Sequence, residues 1–171
     1  MLRAGEEAGV AQRILGTVVA VNDERKAAMV ERVAAALGGN VSGKRVAVLG
    51  LTFKPNTDDM RDAPSIPLVK ALVERGAEVV AFDPVGRAQA EPLLPRIAYA
   101  QTAESAADDA DALVIVTEWD EFRALDLREI ARRMRGDALI DLRNIYDQLE
   151  ARRAGLRHFG VGRGEALKPA D

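Results

Sequence analysis

Cysteine is absent from the 171 residues. That excludes disulfides, thiolate metal centres and a cysteine nucleophile within this chain. Histidine occurs once, as His158. A serine–histidine triad would have to be built on it, and the flanking Arg157 and Phe159 give no sign of one, so His158 is expected to be structural or merely exposed. No apolar run approaches the roughly 20 residues that cross a bilayer, and Met1-Leu2-Arg3-Ala4 does not open a signal peptide. Nor is there a basic block: the 24 Lys and Arg are interspersed with 27 Asp and Glu, for a formal charge of -3. Nucleic acid and anionic membrane are therefore poor partners, and the expected location is cytoplasmic. No internal repeat is visible.

What is present suits one domain plus an extension, or one large domain, with 48% hydrophobic residues available for a core. Residues 10–37 carry a helical pattern. Ile14, Val18 and Val21 fall on one stripe, and Met29, Val33 and Leu37 continue one at spacings of four. Arg25 interrupts it, and Asn22-Asp23 offers a cap for a second helix, so one long helix and two shorter ones both fit. Gly38-Gly39-Asn40 is a stop signal. The segment has no second apolar layer of its own. Its stripe is expected to pack on something outside it, another subunit or a further domain, with folding back onto the same domain as the plainer alternative.

From Ser42 the pattern changes to short strands alternating with helices. Strands are predicted at Arg45–Leu51, Glu78–Phe82, Ala112–Thr117, Ala138–Leu142 and Arg157–Val161. Helices are predicted at Ser65–Arg75, with Ser65 as N-cap and Gly76 as stop, at 86–92, 103–110, Leu127–Met134 and Ile145–Ala154. Residues Gly164–Asp171 read as a tail. Such strands, two of them almost wholly apolar, imply a parallel sheet covered on both faces. Right-handed crossovers make this an α/β, Rossmann-like doubly wound domain whose ligands lie beyond the carboxyl ends of the strands.

At the end of the first strand stands "GLTFKPNTDDMRDAPS", Gly50 to Ser65. Connections of this kind usually run two to six residues, so the length is itself a signal. A dinucleotide fingerprint it is not, because no second or third glycine follows Gly50. Instead it offers Lys54 as a mobile point charge, Arg61 as a planar fork for phosphate or carboxylate, and Phe53 for a base or sugar ring. The plainer alternative pairs Lys54 and Arg61 with Asp58, Asp59 and Asp62, a contact of little energetic weight when exposed. The aspartates match no calcium-loop spacing, and no metal is expected. "TEWDEF", Thr117–Phe122, and "DLRN", Asp141–Asn144, follow two further strands. Glu118 and Asp120 fit capping better than acid–base work, while Arg143 is placed to join Lys54 and Arg61 in an anion site.

These stretches, "VAVLGLTFKPNTDDMRDAPS", "VVAFDP", "TEWDEF" and "IDLRN", resemble in order and spacing the carboxyl-terminal domain of the UDP-glucose/GDP-mannose dehydrogenase family, on its UDP-glucose 6-dehydrogenase branch. "RILGTVVAVNDERKAAMVERV" resembles that family's central helix. The resemblance implies a dimerisation segment at 1–40, with homodimer contacts through 10–37, and a UDP-sugar-binding domain at 41–171. It implies oxidation of UDP-glucose to UDP-glucuronate with reduction of two NAD, through a thiohemiacetal and a thioester on a cysteine that this chain does not carry. The dinucleotide-binding domain and the catalytic lysine are also expected outside it, so no catalytic residue is assigned here and the chain alone is expected to be inactive. Phe53, Lys54 and Arg143 are implied to bind the UDP-sugar and Arg61 to reach NAD held by the other domain. Dehydrogenation of another nucleotide sugar, a non-catalytic UDP-binding or dimerisation module, and an unrelated enzyme on a flavodoxin-like sheet are the alternatives.

Overall fold

A computed structural model describes residues 12–163. Its centre is a parallel sheet of six strands: β1 (Arg45–Leu49), β2 (Glu78–Phe82), β3 (Ala98–Tyr99), β4 (Ala112–Ile115), β5 (Ala138–Asp141) and β6 (Arg157–Gly160). Their spatial order is β3-β2-β1-β4-β5-β6. Helices α1 (Arg13–Ala36), α2 (Ser65–Glu74), α3 (Arg87–Ala90), α4 (Ala103–Ala106), α5 (Asp120–Arg123), α6 (Leu127–Arg133) and α7 (Gln148–Arg153) accompany it. Strand alternation sorts the core into two layers. Val46, Val48, Ala112, Val114, Ala138 and Ile140 face one side, together with α2 and the end of α1. Ala47, Leu49, Leu113, Ile115 and Leu139 face the other, against residues of α4 to α7. Both faces are covered, which is why these strands read as near-continuous apolar runs.

Helix α1 is continuous across Asn22, Asp23 and Arg25. It ends as the two glycines suggest: Gly38 and Gly39 adopt φ of 81° and 93°, and the Gly39 N–H reaches the Ala34 carbonyl at 2.7 Å. The two halves of its apolar stripe have different fates. Val30, Val33, Ala34 and Ala36 are buried in the core of the sheet domain, with Met29 and Leu37 packed beside them, and Glu31 pairs with Arg75, the residue that ends α2. This half folds back on its own domain, the alternative the spacing left open. Ile14, Val18, Val19 and Val21 stay exposed, Ile14 at 84%. Residues 10 and 11 of the predicted helix, and the tail Gly164–Asp171, lie outside the described residues.

Several boundaries differ from expectation. Ser65 does not cap α2. The cap position is Pro64, and the Ser65 hydroxyl donates instead to the Leu51 carbonyl. Helix α7 starts later than Ile145 because Asp147, whose carboxylate accepts from the Leu149 N–H at 2.8 Å, caps it. The spans 86–92 and 103–110 shorten to single turns. Strand β3 has no counterpart in the pattern, being two residues paired with Val80 and Ala81.

Candidate functional site

In this strand order, chain connections leave β1 toward β2 and leave β4 toward β5, so the crevice between the carboxyl ends of β1 and β4 is the topological switch point. The long loop from Gly50 to Pro64 begins there. Gly50 has φ of 87°, and a Cβ on it would lie 2.5 Å from the Thr117 Cβ and 2.7 Å from the Thr117 nitrogen. Glycine is required at this position by the neighbouring strand, not by a pyrophosphate.

Leu51 and Thr52 run beneath the surface, fully buried, and the chain emerges at Phe53, 51% exposed, and the exposed Lys54. The loop closes on itself through the Phe53 N–H and the Asp59 carbonyl at 2.9 Å. Buried Met60 and Ala63 anchor its far limb. Asn56 and Asp62 take φ of 61° and 57°, a region that short polar side chains tolerate.

Arg61 stands out in solvent, its side chain 89% exposed. The Asp59 carboxylate grips it: Nε lies 2.9 Å from Oδ1 and Nη2 lies 2.7 Å from Oδ2. Hydrogen bonds from the Arg61 side chain and backbone hold the Asp59 carboxyl down at about 2. Asp58 accepts from Gln89 at 2.7 Å, tying the loop to α3. Arg61 lines an open cavity of about 770 Å³ with Met60, Ile66, Gln89 and Leu93. Lys54 and Arg143 are not among its lining residues. Among the described residues Lys54 forms no salt bridge. Of the two cations in the loop, one is already paired with an aspartate and the other is available.

Arg143 follows β5. Its N–H and those of Tyr146 and Ile145 are held by Asp141, with 3.1 Å from the Arg143 N–H and 2.9 Å from the Tyr146 N–H. Burial pushes the Asp141 carboxyl up, but hydrogen bonds from His158 and these N–H groups outweigh it and leave the carboxyl below its ordinary value. His158 is buried with its Nε2 3.3 Å from Asp141, a structural placement as its flanking residues suggested. The Arg143 guanidinium forms a two-point pair with Glu118 across the ends of β5 and β4, with Nη2 2.9 Å from Oε1. Those hydrogen bonds hold the Glu118 carboxyl low, against the opposing effect of burial. Glu118 is thus an ion-pair partner, and Asp120 lies in the first turn of α5.

The residue that sequence reasoning passed over is Asp83, at the end of β2. In a dinucleotide-binding sheet an acid there takes ribose hydroxyls. Here it is buried and fully engaged from inside the protein. Oδ2 accepts from the Leu51 N–H at 2.7 Å and the Thr52 N–H at 3.1 Å, and Oδ1 from the Val85 N–H at 3.1 Å and the Gly86 N–H at 2.7 Å. The only signal in the sequence was an aspartate immediately before Pro84 at a strand end.

An open parallel α/β sheet with cations beside its switch point, no glycine-rich phosphate loop after β1 and an already saturated β2 acid defines a Rossmann-like domain without the usual dinucleotide-binding features. Residues 47–148 match the UDP binding domain of the UDP-glucose/GDP-mannose dehydrogenase family, and the chain belongs to that family. It is 47% identical to the UDP-glucose 6-dehydrogenase of Rhizobium meliloti over 95% of this chain and 37% of the relative. It is 40% identical to that of Rickettsia bellii over 88% and 35%. Its fold matches a UDP-glucose dehydrogenase structure from Pyrobaculum islandicum with a TM-score of 0.78 and 32% identity, covering 94% of this chain and 34% of that one. An NDP-N-acetyl-D-galactosaminuronic acid dehydrogenase from Methanosarcina mazei matches with a TM-score of 0.80 at 27% identity, covering 95% and 36%. The chain therefore spans little more than a third of the length of these relatives.

Proposed function

We propose that this chain supplies the UDP-sugar-binding wall of an NAD-dependent UDP-glucose 6-dehydrogenase. The observation that carries the reading is Lys54, without a salt bridge among the described residues, beside the exposed Phe53, at the switch point of a domain matching the family's UDP binding domain. Lys54 sets a point charge toward the diphosphate, and Phe53 offers an apolar face to the base or ribose. Arg143, held in orientation by Glu118 and by the Asp141-braced turn, presents its fork to an oxygen of the same ligand. Arg61, gripped by Asp59 on the exposed limb of the same loop, is proposed to reach NAD held by another domain. NAD supplies the hydride acceptor, taken up twice as the C6 alcohol becomes a carboxylate. This chain's own residues bind and orient; the thiol that would carry the acyl intermediate is not among them.

UDP-glucose is favoured over other nucleotide sugars because the relatives matched at 47% and 40% identity bear that substrate's name. The Methanosarcina mazei likeness is of fold more than of sequence. The apolar half-stripe of α1, Ile14, Val18 and Val21, is proposed to pair with a second copy of the chain.

Calorimetric titration of the chain tests the binding role. UDP and UDP-glucose are expected to bind while GDP-mannose and NAD alone do not. Equal uptake of UDP and NAD would contradict the assignment.

A further inference from the structure

Strand β1 ends at Leu49, yet beyond Gly50 the backbone of Leu51 and Thr52 is fully hydrogen-bonded, as a strand's would be. Asp83 takes both of their N–H groups. Their carbonyls are taken by two hydroxyls, that of Ser65 donating to Leu51 and Thr117 Oγ1 donating to Thr52 at 2.7 Å. The Thr52 hydroxyl itself lies 3.2 Å from Asp83 Oδ2. Thr52, Ser65, Asp83 and Thr117 are all buried. The four backbone groups are thus satisfied by side chains from the loop after β2, the start of α2 and the end of β4. Room is kept clear around this knot: a Cβ on Gly86 would sit 2.4 Å from the Thr52 Cγ2 and 2.9 Å from the Asp83 Oδ1.

Leu51 is a core residue whose buried backbone needs partners, and here a carboxylate and two hydroxyls supply them where a strand would use a neighbouring backbone. Each buried polar group carries a desolvation cost that only a complete network offsets. The fastening runs on into the next two residues, the Thr52 hydroxyl lying 3.2 Å from the Lys54 carbonyl and the Phe53 N–H donating to the Asp59 carbonyl, and leaves the Phe53 and Lys54 side chains exposed. We propose that Asp83 and Thr117 are positioning residues for sugar-nucleotide binding: they immobilise Leu51 and Thr52 so that Phe53 and Lys54 meet the ligand in one geometry. The inference rests on the reading of Lys54 as the diphosphate contact. It adds that the affinity of this lysine depends on an acid and a hydroxyl that never touch the ligand. Asp83 sits where a dinucleotide domain keeps its ribose acid and has been turned inward to serve the loop.

The test is a double-mutant cycle on the chain, read as UDP dissociation constants by calorimetry. Thr117→Val keeps the shape and removes the donor, whereas Thr117→Ser keeps the donor. Thr117→Val is expected to weaken UDP about tenfold and Thr117→Ser to stay within about twofold of the parent. In a Lys54→Ala background Thr117→Val is expected to add less than about twofold, because the hydroxyl acts through the lysine. Should Thr117→Val not fold by circular dichroism, Asp83→Asn enters the same cycle under the same criteria. If the parent chain takes up no UDP, the reading of Lys54 fails and the inference falls with it. If the parent binds but the variant binds equally well, or loses as much without Lys54 as with it, the positioning role is overturned and the UDP reading stands.

Discussion

Three basic residues that look equivalent in the sequence are in three different electrostatic states. Lys54 is unpaired among the described residues, Arg61 is gripped in solvent by Asp59, and Arg143, also exposed, is shared with Glu118. The difference predicts different responses to the same substitution. Arg143→Lys replaces a planar fork by a point charge and loses the two-point fit to Glu118, so UDP is expected to weaken about tenfold. Arg61→Lys is expected to leave UDP unchanged and, in an enzyme that also carries the dinucleotide domain, to raise the KM for NAD. An equal effect of both on UDP would contradict the division. Acid dependence follows from a different group. Asp111 is held below its ordinary value, chiefly by the Arg135 hydrogen bonds at 2.6 and 3.0 Å, with help from the Arg45 N–H and Lys44. A depressed carboxyl contributes stability that is fully present above its unfolded pKa and is lost as pH falls through the folded one. Asp111→Asn is therefore expected to cost about 2 kcal/mol at neutral pH. The gap to the parent should close as pH falls below the ordinary carboxylate range, in urea titrations at a series of pH values.

At the scale of elements, strands β1, β2, β4 and β5 were legible because each is largely an apolar run between turn residues, as doubly covered strands must be, whereas the edge strand β6, Arg-His-Phe-Gly, is not such a run. Strand β3 was not, since two residues carry no period. The Gly50–Ser65 loop announced itself by length and composition, but its fastening did not. Ser65 has the chemistry of a cap, and local propensity assigns it that role; the fold spends its hydroxyl on Leu51 instead. Asp83 and Thr117 act on residues 31 or more positions away, and no spacing rule reaches that far. Gly50→Ala tests the tightness of this junction. With φ of 87° and Thr117 backbone 2.7 Å from the added carbon, the variant is expected to lose about 3 kcal/mol or more in a denaturant titration. A loss below about 1 kcal/mol would mean that the β1 and β4 ends move apart easily.

Over the whole molecule, α1 divides the account. Its periodicity marked the helix, but a stripe does not say what covers it, and the structure buries Val30, Val33, Ala34 and Ala36 within the domain while leaving Ile14, Val18 and Val21 uncovered. If a second copy covers them, Val18→Glu with Val21→Glu should convert a dimer to a monomer in light scattering without lowering the melting temperature of the sheet domain. A parent that is already monomeric at high concentration would contradict the pairing. No helix among the described residues is long and apolar enough to cross a membrane. The account as a whole turns on where the ligand sits, and backbone amide shifts on titration with UDP read that directly. The largest changes are expected at Phe53, Lys54, Glu118 and Arg143, on the carboxyl edge beside the switch point. Changes confined to the opposite edge of the sheet would contradict it.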